Sequence, residues 1–433
     1  MEDNNRTSFY FNRCDPEIPV TVDDPENFYV DFDSLELRGE KCIDAMAATI
    51  QLSNAPTTQL FTGFPGAGKT SELLRLSKKL SDLNYLVIYA DCLQTIDVLN
   101  PIEYSDILIS LGLAVDEWFI ESENKSKVGA WARRFGNEVK EILFSDVAIK
   151  EFKAKVGSDT AGSEIGIELK KNPSFRNAMR QAANDRRRQF MDQIRDYFQN
   201  ANMAVKKIGY ERGIVLILDN LEKLSSETET RDSARNMLLH HSDALQQPGV
   251  HLIYTVPAPF VFSGWGPQLG RIYDGEPLVL PMVKLFNRTS GQIYDKGVDA
   301  MREMLLRRVD FDEVFEKNEN ILNNLIYNCG GYPRDLMRLF RYSLQFAWNL
   351  PVREEHVKAS INRLTKSYKR GFNTNDLSFL QHIGNDRPES LPDEMRNRIE
   401  HFMINHFVMI YGNDTEWYDV HPIIRRFIEM TNG

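Results

Sequence analysis

The sequence predicts an α/β protein: a parallel β-sheet carrying a phosphate-binding loop, followed by a helical segment and a small helix-and-hairpin domain. Three observations predict it. Gly63-Phe64-Pro65-Gly66-Ala67-Gly68-Lys69-Thr70 matches every position of the pattern G-x-x-x-x-G-K-[ST]. Apolar runs of strand length alternate with helical stretches, as in a sheet covered on both faces. At 433 residues the chain exceeds one ordinary core, so two or three domains are expected.

Residues 1–33, rich in Asp, Asn and Pro (Asp15-Pro16, Asp23-Asp24-Pro25), read as an extended N-terminal arm. Residues 34–290 read as the sheet domain. A helix is expected over 40–52, then a short strand at 59–62 and the glycine loop. The next helix, 69–81, buries Leu73, Leu76 and Leu80 on one face. Further strands fall at 85–90, ending at Asp91; at 214–218, ending at Asp219; at 251–255, ending in Val256-Pro257; and at 278–280. More than a hundred residues separate the second and third strands, far more than a crossover helix requires, so about 95–212 is a helical insertion. Within it 157–173 (Gly157, Gly162, Gly166, Pro173) reads as broken and loop-like. A long helix then runs to about Val205, with Phe190, Ile194, Tyr197, Ala201 and Val205 along one side. Residues 291–372 read as a helical lid, with helices at about 297–309, 313–328, 333–348 and 354–369. Residues 373–433 read as a winged helix. Helices near 377–382 and 393–402 precede strands at 407–411 and 416–420, a Gly412-Asn413-Asp414 turn between them, and a closing helix.

Hydrophobic content of 42% and charged content of 26% fit a globular chain. The longest apolar run, 214–218, is far too short to cross a bilayer, so no membrane partner is expected. The polar, acidic start Met1-Glu2-Asp3-Asn4-Asn5 argues against a secretory signal. Cys14, Cys42, Cys92 and Cys329 lie far apart with no C-x-x-C pair, which argues against zinc and points to a reducing, cytoplasmic compartment. With 52 Lys and Arg against 62 Asp and Glu, the formal charge of −10 excludes a general nucleic-acid binder. The insertion departs from this: 125–212 carries 19 basic against 11 acidic residues, densest at Arg186-Arg187-Arg188.

The chemistry concentrates at the glycine loop. Gly63, Gly66 and Gly68 let the backbone around Phe64, Pro65 and Ala67 curl about a phosphate with its N–H groups inward. The following helix adds the positive end of its dipole. Lys69 reaches the outer phosphates, the Thr70 hydroxyl is placed to ligate Mg²⁺, and Ser71 completes the nucleotide-binding set. Asp219 emerges at the carboxyl end of a buried strand, the edge where ligands bind in open α/β sheets. A carboxylate there holds the Mg²⁺ shell; a helix N-cap is its alternative role. Glu222 is either the group that polarises the attacking water or a solvated surface acid. Thr255 ends its strand on the same edge, facing the γ-phosphate or the water, or serves as an ordinary strand-end threonine. In Gly330-Gly331-Tyr332-Pro333-Arg334-Asp335, Pro333 suits a first helical turn and places Arg334 at the helix start. Arg334, Arg338 and Arg341 form a stripe that by default is a solvated basic face, and the glycines and proline before it single out Arg334 as a phosphate sensor.

Together these residues resemble the P-loop ATPases of the AAA+ and STAND groups over residues 34–433. Within those groups the likeness is to origin-recognition-like ATPases and NOD-like receptors. On this resemblance Arg38-Gly39-Glu40 looks like the motif whose backbone holds adenine, 63–70 like Walker A, and Leu218-Asp219-Asn220-Leu221-Glu222 like Walker B. Thr255 takes the sensor-1 place. Gly331-Tyr332-Pro333-Arg334 looks like the G-x-P element of STAND proteins merged with the sensor-2 arginine of AAA+ proteins. Val420-His421-Pro422 resembles the winged-helix histidine motif, in which the histidine touches the ADP phosphate; a structural histidine is its alternative. Two departures stand out. Asn220 occupies the position of the AAA+ catalytic glutamate, so turnover is expected to be slow, and Pro422 replaces the usual aspartate. For an arginine finger, Arg271 is the best-placed candidate, followed by Arg231 and Arg235.

The resemblance implies a regulatory ATPase switch using ATP, ADP and Mg²⁺, in which nucleotide sets the angles between sheet domain, lid and winged helix. Neither flank has room for an effector or sensor, so that partner is expected as a separate protein, in a homo-oligomer or hetero-complex. The implied setting is bacterial antiviral defence. One alternative is a DNA-binding, origin-recognition-like or transposition-type ATPase acting through the winged helix and the basic insertion. Asp414, Glu416 and Asp419 give it an acidic wing, which repels phosphates. Another is a nucleotide-binding scaffold without turnover, which follows from Asn220.

Overall fold

The computed structural model describes residues 2–121, 162–223, 228–371, 373–391, 398–412 and 415–431. Five strands form one parallel sheet: β1 (Thr58–Gly63), β2 (Tyr85–Asp91), β3 (Gly213–Asp219), β4 (His251–Thr255) and β5 (Leu278–Leu280). Their spatial order is β2-β3-β4-β1-β5. The glycine loop leaves β1 and enters the helix Lys69–Ser81, and β4 separates β1 from the Asp219 strand β3. This is an α/β P-loop NTPase sheet.

Side chains alternate across it. Val215 and Ile217 of β3 enter one core, and Ile214, Leu216 and Leu218 enter the other. That double burial is why β3 reads as an unbroken apolar run. The first core lies beneath the helices Cys42–Leu52 and Lys69–Ser81 and continues into the lid and the C-terminal domain. The second lies beneath the insertion helices Tyr104–Glu121, Pro173–Asp185 and Arg187–Lys207. The last of these buries Phe190, Ile194, Tyr197, Ala201 and Val205, the side its periodicity predicts. None of the helices among the described residues is long and apolar enough to cross a membrane.

Three segments differ from expectation. The arm is not extended throughout, because Glu2–Arg13 is a helix. Thr7, Tyr10 and Cys14 are buried at helical spacing, a face masked by the surrounding Asp and Asn. The helix is fastened to the lid: Arg6 Nε donates to Glu313 Oε1 at 2.7 Å, Tyr10 Oη donates to Glu313 Oε2 at 2.6 Å, and Arg341 stacks on Phe11. In the insertion, Gly162–Lys171 is helical rather than broken, and Asn172 caps the next helix by accepting from Phe175 N at 3.1 Å. Packing overrides the glycine, since a Cβ on Gly166 would lie 2.7 Å from Thr95 Cγ2. Gly157 and residues 125–161 of the basic stretch lie outside the described residues. In the lid, the helix expected over 313–328 is two, Phe311–Phe315 and Glu319–Cys329. Glu316 and Lys317 turn left-handed between them, and Asn318 caps the second.

The lid continues with Pro333–Ala347 and Glu354–Lys369. The C-terminal domain has the winged-helix order: helices Leu377–Asp386 and Ile399–Ile404, the antiparallel strands β6 (Val408–Gly412) and β7 (Glu416–Val420), and the helix Pro422–Thr431. Tyr411 and Trp417 face each other across the hairpin with rings stacked at 4.6 Å. The hairpin joins the sheet domain where Met282 N donates to Ile410 O at 2.9 Å.

Sheet domain, lid and hairpin meet at Gly330-Gly331. Both residues have left-handed backbone, φ +62° and +73°. A Cβ on Gly331 would sit 1.7 Å from the Val283 carbonyl oxygen. Gly331→Ala is therefore expected to cost about 3 kcal/mol or more, seen as a lower denaturant midpoint. Gly275→Ala, with φ +104° but nothing within 4 Å, should cost about 1–2 kcal/mol. Equal losses in the two variants would contradict the steric account.

Candidate functional site

The loop between β1 and the Lys69–Ser81 helix is shaped by Gly66 (φ +86°) and Gly68 (φ +102°). The helix starts on Gly68, which has no side chain to cap it, so nothing competes with an anion for the first-turn N–H groups. Ala67 N donates to Phe64 O at 3.1 Å, closing the curl. Arg38 braces the loop from below: its Nη2 donates to Ala67 O at 2.7 Å, and its guanidinium lies between Glu72 and the Phe32 ring. Its side chain, not only its backbone, therefore contributes.

Beside the loop, the end of β3 delivers Asp219, with Asn220 and Glu222 following it. Asp219 Oδ2 accepts from Thr70 Oγ1 at 2.8 Å and from Tyr89 Oη, while Oδ1 accepts from Asn220 N at 2.7 Å. Burial, then the neighbouring Glu222 charge, pushes the Asp219 carboxyl above the usual range. Two hard oxygens converging beside an electrostatically strained carboxylate fit Mg²⁺. Lys69 Nζ donates to the carbonyls of Gly63 (3.0 Å) and Phe64 (3.1 Å) and pairs with Glu222 Oε1 at 3.0 Å, both side chains almost wholly buried. Burial pushes Glu222 upward, but Lys69 and the Thr255 hydroxyl overrule it and hold the carboxylate below its usual range. Glu222 is thus no solvated surface acid, and its Oε2 is buried with no hydrogen-bond partner among the described residues. Thr255, fully buried on β4 between the loop strand and β3, also accepts from Leu221 N at 3.2 Å. Asn220 turns left-handed (φ +70°), and its Nδ2 donates to Asp91 Oδ1 at 2.8 Å on the adjacent strand end.

Arg38, Lys69, Thr70, Asn220 and Glu222 line a cleft of about 540 Å³, a size suited to a nucleotide, with Asp219 buried directly behind Thr70. The arm forms one wall and the lid another. Ser71 Oγ accepts from Val20 N at 3.1 Å, which ties the arm to the loop. From the lid, Tyr332 Oη donates to Pro65 O, and Pro333 opens the helix that carries Arg334. Arg334 lies directly on the loop, for a Cβ on Gly66 would sit 2.6 Å from its Nε. That Nε is buried with no hydrogen-bond partner among the described residues, while Nη2 donates to Glu17 Oε2 of the arm at 2.9 Å. The arginine stripe is no solvated face: Arg341 pairs with Asp15 and Arg338 with Asp335.

Two expected residues stand apart from the cleft. His421 is fully buried, its Nε2 3.3 Å from Asp335 Oδ2 and its ring 4.8 Å from Tyr368, so it fastens the winged helix to the lid. Burial raises the Asp335 carboxyl, but the His421 ring overrules it and holds Asp335 below its usual range. Arg271, in the helix Gly266–Ile272, does not line the cleft. Arg231 pairs with Glu400 at 3.0 Å, and Arg235 pairs with Asp232 and stacks on Trp265. Arg425 of the closing helix is engaged by Asp419, which Arg387 also holds, while Asp414 lies outside the described residues. The winged-helix residue that does approach the loop is His406. Its ring lies 5.0 Å from Tyr332 and 5.8 Å from Phe64 of the loop. No local motif marks it in the sequence; only the folded turn before β6, with φ +56°, brings it there.

No protein-family model matches the chain, and no curated protein matches it. Solved structures similar to it include the Walker-type ATPase PABY2304 of Pyrococcus abyssi (12% identity, TM-score 0.42, covering 89% of this chain and 95% of that one). Others are Cdc6p from Pyrobaculum aerophilum (12%, 0.40, 97% and 98%) and the Aeropyrum pernix ORC2 protein in ADPNP–ADP complexes (12%, 0.38, 90% and 93%). The P-loop fold stands on the sheet order and the loop geometry themselves.

Burial lowers the His406 pKa to about 4. The unfolded chain takes this proton near 6.5, so the contribution is full above that pH and is lost as pH falls towards 4. Between pH 7 and 4.5 wild type should lose about 2 kcal/mol more stability than His406→Asn, measured by denaturant unfolding at each pH. Parallel losses would contradict a buried neutral ring.

Proposed function

We propose that the chain binds ATP with Mg²⁺ in this cleft, hydrolyses it slowly, and uses the nucleotide state to set how lid and winged helix sit on the sheet domain. One observation carries this reading. Arg334, from the lid, lies on Gly66 with a buried Nε lacking a partner and with an arm carboxylate on Nη2. A guanidinium so placed meets the outer phosphate and joins lid to loop through it. On binding, Lys69 moves its ammonium from Glu222 to the phosphate oxygens. Thr70 and Asp219 would hold Mg²⁺, which would supply positive charge against the phosphates. Glu222, kept oriented by Thr255, then accepts the proton of the attacking water. With Asn220 tied to Asp91, no second carboxylate assists, consistent with slow turnover. Arg271 would act only on the site of a neighbouring copy. The controlled partner is a separate effector protein, in an antiviral-defence setting, as the family resemblance implies.

Lys69→Ala should weaken ATP binding about a hundredfold, measured by fluorescent-nucleotide titration. Arg334→Ala should keep binding within about tenfold yet abolish the ATP-induced protection of residues 330–347 in hydrogen exchange. If Lys69→Ala retains ATP-dependent protection of the lid, the switch reading is wrong.

A further inference from the structure

A second cavity, about 190 Å³, adjoins the first part of the P-loop. It shares Pro65 and Glu222 with the nucleotide cleft, so the Glu222 carboxylate stands between the two spaces. Its other walls are mainly apolar, with Phe64 and Phe260 from the sheet domain and Met403 and Ile404 from the winged helix. Among the described residues its other charged side chains are Arg231 and Glu400. These join the helix Thr228–His240 of the sheet domain to the helix Ile399–Ile404 of the winged helix, Arg231 Nη1 lying 3.0 Å from Glu400 Oε2. Both side chains are partly exposed, at 33% and 25%, which puts the pair at the rim.

A buried carboxylate oxygen without a partner calls for water or a proton. Glu222 Oε2 is such an oxygen, on a residue shared with a space roomy enough for several waters. We propose that this cavity is the nucleophile-side chamber of the site, and that the Arg231–Glu400 pair is the catch by which the winged helix holds its wall in place. The proposal rests on the ATPase reading above and adds the regulation of that site. Water in the chamber bonds to the γ-phosphorus as the bond from phosphorus to the β–γ bridging oxygen breaks. ADP leaves with that electron pair, and the water proton passes to Glu222. With the catch closed, the chamber walls do not adjust around Glu222. Opening the winged helix raises turnover, and because nucleotide and winged helix are coupled it shifts ATP affinity by no more than a similar factor.

The test measures steady-state ATP turnover and ATP affinity on the same full-length preparations. Glu400→Gln and Arg231→Gln should each raise kcat about fivefold, with Kd moving by no more than the same factor, as expected from losing one partly exposed pair. The double variant should rise no further than either single one, because both remove the same contact. Ile404→Trp, which fills the chamber from its rim, should lower kcat about tenfold or more with unchanged Kd. An unchanged kcat in either catch variant, a fall in Arg231→Gln, or wild-type turnover in Ile404→Trp overturns the proposal. Failure of the wild type to bind ATP would sink the ATPase reading itself; intact binding with unresponsive variants sinks the chamber alone.

Discussion

The close approach of Gly331 to the Val283 carbonyl is the constraint on which the site depends. The segment after β5 and the turn between two lid helices can meet there only without a side chain. Val283 N returns a hydrogen bond to Gly331 O at 3.1 Å, and the Gly330 carbonyl accepts Tyr411 Oη of the hairpin at 2.7 Å. Pro422 packs on Gly330 from the closing helix. Sheet, lid and winged helix are thus fixed to one turn. From that turn the chain launches Tyr332 onto Pro65 and Arg334 onto Gly66, the contacts through which the switch proposed above would link phosphate loop and domain angle.

The electrostatics of the cleft follow from burial. Lys69 and Glu222 neutralise each other out of water, which is favourable only while both are in place. In the function proposed above, a triphosphate would compete for Lys69, and every charge it displaced would need another use. Glu222 would be released towards water, and Arg334 from Glu17 towards phosphate. The arm's acids, Asp15 and Glu17, occupy the arginines Arg341 and Arg334 in the structure described. This exchange of partners is a direct physical route from nucleotide to arm, lid and winged helix.

Much of this was legible in the sequence. The five sheet strands, the loop and Asp219 depend on local patterns: apolar runs, glycines at fixed offsets, and an acid at a strand end. Arg334 was legible because two glycines and a proline leave little doubt where its helix begins. What escaped depends on long-range packing. The N-terminal helix has a narrow buried face hidden among acids and amides, and its reason for existing is Glu313, some three hundred residues away. Gly162 and Gly166 look like breakers until Thr95 is seen against the helix. Among the histidines, a motif-like neighbourhood drew attention to His421, which the fold uses to bind Asp335. His406 reaches the loop through a turn whose geometry no sequence pattern records.

The most direct measurement is a structure of the full chain with a non-hydrolysable ATP analogue and Mg²⁺. The account predicts that Arg334 leaves Glu17 and hydrogen-bonds the terminal phosphate, with Lys69 moved off Glu222 onto the same group. A nucleotide bound in the cleft with Arg334 still on Glu17 and Lys69 still on Glu222 would contradict it.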